Sequence, residues 1–231
     1  MVISSPLNVV WSRIQNLIGL SLILFFFTLP NPRFVFVSLA LWIFTSTVVT
    51  ALLQKTRFTL ANIITLSRAF GLVTCSVILA HNGYISNLSV FILGICLLAD
   101  ALDGYLARLF TTSSAGKILD GETDQQFVLL TASACYILLH MPFWLLFFPC
   151  IKYIFGIFYE LFKLSVRENS GEKRRKIIAA IVMIILFINL TSLINEETGV
   201  LISSFGFLLL SYSFIADLIR SIQTKLRNEP Q

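Results

Sequence analysis

Residues 100–124, DALDGYLARLFTTSSAGKILDGETD, set four aspartates into a chain that is otherwise overwhelmingly apolar. Asp100 and Asp103 are three residues apart, and Asp120 and Asp124 four apart. On helices each pair therefore shares a face, its members separated by about one 5.4 Å turn. Gly104 and Ala107 extend the first face and Gly116 the second, small residues that let a ligand or a neighbouring helix approach the backbone. The polar link LFTTSSA, between Arg108 and Gly116, can join the two helices as an antiparallel pair. That pairing would bring the four carboxylates into one small volume.

Such a cluster repels itself at neutral pH, and one carboxylate held at mid-membrane costs about 2.5–3.5 kcal/mol on insertion scales. Divalent cations relieve both penalties. An all-oxygen donor set suits Mg²⁺ or Mn²⁺, and two ions about 3.5–4 Å apart can clamp the oxygens of a phosphoryl or pyrophosphoryl group. Solvated helix-end aspartates would account for one of the two pairs, and poorly for both.

The surrounding chain sets the fold class. With 57% hydrophobic and 13% charged residues and a mean hydropathy of +0.86, its 231 residues lie outside soluble composition. This reads as an all-α polytopic membrane bundle. Apolar segments near the crossing length of about 17–25 residues fall at roughly 58–80, 87–110, 117–141, 143–164, 175–195 and 198–220, a six-helix core. Two earlier segments, about 14–30 and 34–54, flank Pro30, Asn31, Pro32 and Arg33 and form an amino-terminal hydrophobic hairpin, for about eight membrane segments in all. The expected division is 1–57 for an interfacial segment and hairpin, 58–222 for the catalytic membrane domain and 223–231 for a tail. The first fifteen residues carry no basic leader region or small-residue cleavage site and are expected along the membrane surface.

Lysines and arginines cluster on one side of this topology, in Lys55, Arg57, Arg68, Arg108, Lys117, Lys163, Arg167, the run Lys173–Lys176, Lys225 and Arg227. The positive-inside rule then puts both termini and the aspartates at the cytoplasmic face, with Arg33 as the exception. A net charge of +5 spread over juxtamembrane loops, without a nucleic-acid-binding motif, points to anionic lipid and away from nucleic acid. Cys75, Cys96, Cys135 and Cys150 all sit in apolar segments without metal-ligand spacing and read as packing residues. Lys152 and Glu160, on nearly one face of a core segment, read as partners of neighbouring helices or as acceptor-pocket residues. Asp217 and Arg220 read as a local ion pair.

Taken together, Asp100, Asp103, Gly104, Ala107, Arg108, Gly116, Asp120 and Asp124 resemble the signature D-x-x-D-G-x-x-A-R…G-x-x-x-D-x-x-x-D of the CDP-alcohol phosphotransferases. Seven residues separate Arg108 from Gly116, where the family usually has eight. Upstream, Asn62, Thr65 and Arg68 in NIITLSR are similar to the family's N-x-x-T-x-x-R element, with Ala61 where Pro is common. The resemblance implies transfer of a phosphoalcohol group from a CDP-linked donor, for a lipid enzyme CDP-diacylglycerol, to the hydroxyl of a small alcohol acceptor, with release of CMP. It implies a two-ion Mg²⁺ or Mn²⁺ site on Asp100, Asp103, Asp120 and Asp124, with Asp124 as general base. Asn62, Thr65, Arg68, Gly104, Ala107, Arg108 and Gly116 would surround the CDP donor. Direct displacement is the expected course, a covalent intermediate the alternative.

Lys117, beside Gly116, and Arg68 are candidates to meet an acceptor phosphate, as on glycerol 3-phosphate; an interface-anchor role fits them equally. LDGETDQ departs from the LDP-x-x-DK of phosphatidylglycerophosphate synthases at Gly121 and Gln125. Family members are often dimers, so a homodimer is expected by the same resemblance. Two other classes compete for the aspartates. An intramembrane prenyltransferase would also use Mg²⁺ and pyrophosphate but needs a second, well-separated aspartate motif. A non-enzymatic cation transporter would not need Gly104, Ala107 and Arg108 in their fixed places.

Overall fold

The computed structural model describes the backbone of residues 6–29, 31–53, 60–109, 114–161, 172–191 and 193–228, and side chains within 10–29, 31–53, 62–102, 118–158, 174–191 and 193–223. Among these residues there are eight α-helices and no strand. In chain order they are α1 (Pro6–Thr28), α2 (Pro32–Leu53), α3 (Leu60–Asn82), α4 (Asn87–Leu109), α5 (Ser114–Leu138), α6 (Phe147–Leu161), α7 (Glu172–Asn189) and α8 (Glu196–Asn228). A single 3₁₀ turn, Phe143–Leu146, leads into α6.

The expected polytopic helical bundle is present. Among the described residues four spans are long and apolar enough to cross a bilayer on their own: Val10–Thr28, Pro32–Leu53, Asn62–Asn82 and Glu196–Gln223. α5 and α7 miss that standard because charges crowd their first turns, Asp120, Glu122 and Asp124 in one and Glu172 to Lys176 in the other. α1 begins at Pro6, well before the hydropathic start near 14, because polar residues on its first turns find partners on α2. Trp11 Nε1 donates to Thr50 Oγ1 at 2.9 Å, and Gln15 Nε2 to Ser46 Oγ at 2.8 Å. Trp11 and Gln15 thus pack inside the hairpin instead of lying along a surface.

Large apolar side chains point outward around the bundle, among them Leu24, Phe34, Leu52, Phe70, Leu98, Leu201 and Leu208. An apolar exterior of this kind is stable in hydrocarbon and not in water. The interior is built around α5, which packs against α2, α3, α6 and α7. Its Ala132, Ser133, Ala134 and Cys135 are buried, and small residues let neighbouring helix backbones approach closely. Glycine does the same at two crossings. A Cβ at Gly71 of α3 would lie 2.7 Å from Cys96 Sγ of α4, and one at Gly206 of α8 would lie 2.8 Å from Ile185 Cδ1 of α7. Contacts between the start of one helix and the end of another, such as Trp11 to Thr50 and Arg68 to Asp100, show that successive helices alternate in direction. The starts of α1, α3, α5 and α7 therefore share one end of the bundle with the ends of α2, α4, α6 and α8.

Candidate active site

At that shared end a single cation gathers three of the four aspartates. Arg68 projects from the third turn of α3 with only 2% of its side chain exposed, so its charge must be met by protein. Nη1 lies 2.8 Å from Asp100 Oδ1 of α4 and 2.9 Å from Asp120 Oδ1 of α5. Nη2 lies 2.7 Å from Asp124 Oδ1, one turn further along α5. Asn62 and Thr65, about two turns and one turn before Arg68, are buried beside the same helix face. Cys96 holds α4 to α3 here through a 3.6 Å contact from Sγ to the Arg68 carbonyl.

The carboxylates keep between 21% and 43% of their side-chain surface, so they stay open to a ligand from one side while Arg68 closes the other. Each offers one oxygen to a common volume in which all three atoms lie within 4.8 Å of one another. Three negative charges around one positive charge leave a deficit of two. Hard oxygen donors with that deficit fit a divalent cation of the Mg²⁺ or Mn²⁺ kind.

Asp103, Gly104, Ala107 and Arg108 follow Asp100 on α4, and Gly116 and Lys117 open α5. The side chains of these six lie outside the described residues, as does that of Glu160. The spacing argument brought two pairs of aspartates together; the described residues bring Asp100, Asp120 and Asp124 together and add Arg68 at their centre.

Beside Asp120 and Asp124 opens a cavity of about 460 Å³ between α5, α6, α7 and α8. Lys152, Arg175 and Lys176 line it near the carboxylates, and Val128, Phe148, Val182, Met183 and Leu210 line it further in. Lys152 donates to the Gly121 carbonyl at 2.6 Å and lies 3.7 Å from Glu122 Oε1. The sequence offered Lys152 as a partner of a neighbouring helix or as an acceptor-pocket residue; it is paired with α5, and it also lines this cavity. Asp217 reaches across to α7, where it pairs with Arg174 and, at 3.2 Å, with Arg175. Nothing in the sequence marked that pairing, because GEKRRK reads as a topology signal and Asp217 has Arg220 nearby. Gln125, noted in the sequence only as a departure, and Gln126, which the sequence reading missed, are both buried behind Asp124.

Among the described residues the fold is a helical bundle with apolar spans, which fits an integral membrane protein, and it carries a cluster of oxygen donors beside a cavity with a mostly apolar lining. The chain belongs to the CDP-alcohol phosphatidyltransferase family, whose model matches residues 58–216. It is accordingly a transferase of substituted phosphate groups, moving a phosphoalcohol group from a CDP-alcohol to an alcohol acceptor in the membrane. The family serves phospholipid biosynthesis and generally uses divalent metal ions. No curated protein and no solved structure matches the chain. With the family shown, prenyl transfer and cation transport fall away as readings of the aspartates.

Proposed function

We propose that the protein transfers a phosphatidyl group from CDP-diacylglycerol to the hydroxyl of a small alcohol and releases CMP. The observation that carries this reading is the convergence of Asp100, Asp120 and Asp124 on Arg68 at the head of a cleft that becomes apolar with depth. Such a cleft suits a donor with an anionic head and two acyl chains.

Asp100, Asp103, Asp120 and Asp124 would hold Mg²⁺ or Mn²⁺, two ions by the family resemblance. Bound there, the ions would neutralise the donor pyrophosphate and make CMP a better leaving group. Asp124 takes the proton from the acceptor hydroxyl. That oxygen forms a bond to the phosphorus bearing diacylglycerol, and the bond from this phosphorus to the bridging oxygen breaks, its electron pair leaving with CMP. Arg68 orients Asp120 and Asp124 through its ion pairs with them. Asn62, Thr65, Gly104, Ala107, Arg108 and Gly116 surround the cytidine and its phosphates. Lys152, Arg175 and Lys176 give the cavity a positive side next to Asp124, which favours an acceptor that carries a phosphate, as glycerol 3-phosphate does. Lys117 is a further candidate for that phosphate.

Within this reading residues 58–222 form the catalytic membrane domain, 1–57 the interfacial segment and hairpin, and 223–231 a tail. The site faces the cytoplasm and the protein works as a homodimer. The test is CMP release by purified protein in lipid micelles, with CDP-diacylglycerol, Mg²⁺ or Mn²⁺, and candidate alcohols added singly. CMP and a new lipid that depend on one alcohol, with turnover reduced about 10²–10⁴-fold in Asp124→Asn, are expected. Folded protein that releases no CMP with any alcohol, or an Asp124→Asn variant with native turnover, would overturn the reading.

A further inference from the structure

The family match begins at residue 58, so α1 and α2 lie outside it. Yet the two residues that follow Asp124 on α5 are both held by way of this hairpin. Gln126 Nε2 donates to Ser46 Oγ of α2 at 3.1 Å, and the same oxygen accepts from Gln15 Nε2 of α1 at 2.8 Å. Gln15 also reaches Thr50 Oγ1 at 3.2 Å, the atom to which Trp11 donates. Gln125 donates to the Pro149 carbonyl at 2.8 Å and is hydrogen-bonded to Tyr153, which is in turn hydrogen-bonded to Trp42 of α2. Gln15, Ser46, Thr50, Gln125, Gln126 and Tyr153 are all buried, so water offers these groups little competition.

Each residue advances a helix by about 100°, which puts Gln126 about 200° around α5 from Asp124. The carboxylates face Arg68 and the cleft; Gln126 faces the hairpin. α5 is therefore gripped on two opposite sides, by Arg68 on one and by Ser46 on the other. A rotation of about 10° at a side-chain radius of about 5–6 Å would carry a carboxylate about 1 Å, and a misplacement of about 1 Å can cost about 100-fold in rate.

We infer that the hairpin is a positioning element for the reaction: the Ser46–Gln126 hydrogen bond fixes the rotation of α5 and so holds Asp120 and Asp124 in register with Asp100. The inference rests on the reading of these aspartates as the cation-holding and proton-accepting groups. Neither Ser46 nor Gln126 touches the reacting atoms.

The test uses the full chain in micelles and compares Ser46→Ala, Gln126→Leu, the double variant and Ser46→Thr with Thr50→Val. The last removes hydrogen bonds inside the hairpin without touching α5. Two readouts are taken: kcat and KM for CMP release, and Mn²⁺ half-saturation by electron paramagnetic resonance. Ser46→Ala and Gln126→Leu are expected to lower kcat about 10- to 100-fold and to raise the Mn²⁺ half-saturation concentration, with KM for CDP-diacylglycerol near native. The double variant should fall no further than Gln126→Leu, and Ser46→Thr should recover both readouts. Thr50→Val should lose thermal stability alone. Native kcat and Mn²⁺ half-saturation in Ser46→Ala and Gln126→Leu, or equal losses in Thr50→Val, would overturn the inference. Should the native chain release no CMP, the proposed reaction falls and the Mn²⁺ titration decides the inference by itself. Failure of the native chain to bind Mn²⁺ overturns both.

Discussion

Replacing Arg68 with methionine keeps most of the side-chain volume and removes the one charge that three carboxylates share in the described site. Those carboxylates each present an oxygen within 4.8 Å of the others. At that separation two like charges repel by about 3–4 kcal/mol for an effective dielectric constant of about 20. Taking one partner from a buried ion pair costs about 3–5 kcal/mol. Here the carboxylates retain 21%, 43% and 30% of their side-chain surface, so solvent screening puts the expected loss near the lower end. About 3 kcal/mol corresponds to a fall in Tm of about 6–12 °C for a chain of this size. A divalent cation should return most of it, since a ligand at 100 times its Kd adds about 2.7 kcal/mol to the folded state. Thermal unfolding of Arg68→Met in micelles, in EDTA and in a Mg²⁺ or Mn²⁺ series, reads both quantities. An Arg68→Met variant whose Tm does not rise with the ion would refute the reasoning, because it would mean that the aspartates near Arg68 do not form a cation site.

Lys152→Met should raise KM for a phosphate-bearing acceptor about 10-fold, as expected for loss of a hydrogen bond to a charged group, and change KM for an uncharged alcohol much less; steady-state kinetics with the two acceptors measures the difference. Gly71→Ala drives a methyl group toward Cys96 Sγ, which lies 2.7 Å from the Cβ position, where α4 crosses α3 next to Arg68 and Asp100. Its expected cost is about 1–3 kcal/mol of stability, together with weaker Mn²⁺ binding as α4 moves Asp100 away; unchanged unfolding and titration curves would contradict this. Gly121→Ala meets nothing within 4 Å and replaces a mid-helix glycine, so stability should rise by about 0.5–1 kcal/mol in thermal or denaturant unfolding. A drop would show that the cleft wall is tighter than this geometry.

What could be read before the structure follows the reach of each signal. Asp100 with Asp103, and Asp120 with Asp124, declare themselves through helical period, a local property, and so do the apolar segments that became α3, α4 and α8. The junction of α5 and α6 is less legible. A run read as starting at 143 first makes a 3₁₀ turn and then α6 from Phe147, because Pro142 and the left-handed backbone of His140, with φ of 54°, set a corner that hydropathy does not register. Arg68 was visible as part of an element, yet its place among three carboxylates depends on Asp120 and Asp124, which lie 52 and 56 residues away. Asp217 with Arg174 and Gln126 with Ser46 are legible only after packing for the same reason: within an apolar segment a single polar residue gives no hint of which helix will answer it.

α5 sits at the centre of the bundle and is also among its most polar helices, with Asp120, Glu122, Asp124, Gln125 and Gln126 near one end. Alone in lipid it would be a poor span, since three carboxylates and two amides within seven residues add to the cost of insertion, which for one aspartate reaches about 2.5–3.5 kcal/mol at a helix centre and falls toward the ends. Its partners lie on both sides of it in the chain, but Ser46 on α2 and Arg68 on α3 come earlier. During synthesis the ribosome therefore delivers the acceptor for Gln126 and the counter-charge for Asp120 and Asp124 before α5 itself emerges. The order of the helices thus lets the least lipid-soluble of them enter beside groups already able to receive it, and exchanging that order would leave the same contacts in the finished bundle with a harder route into the membrane.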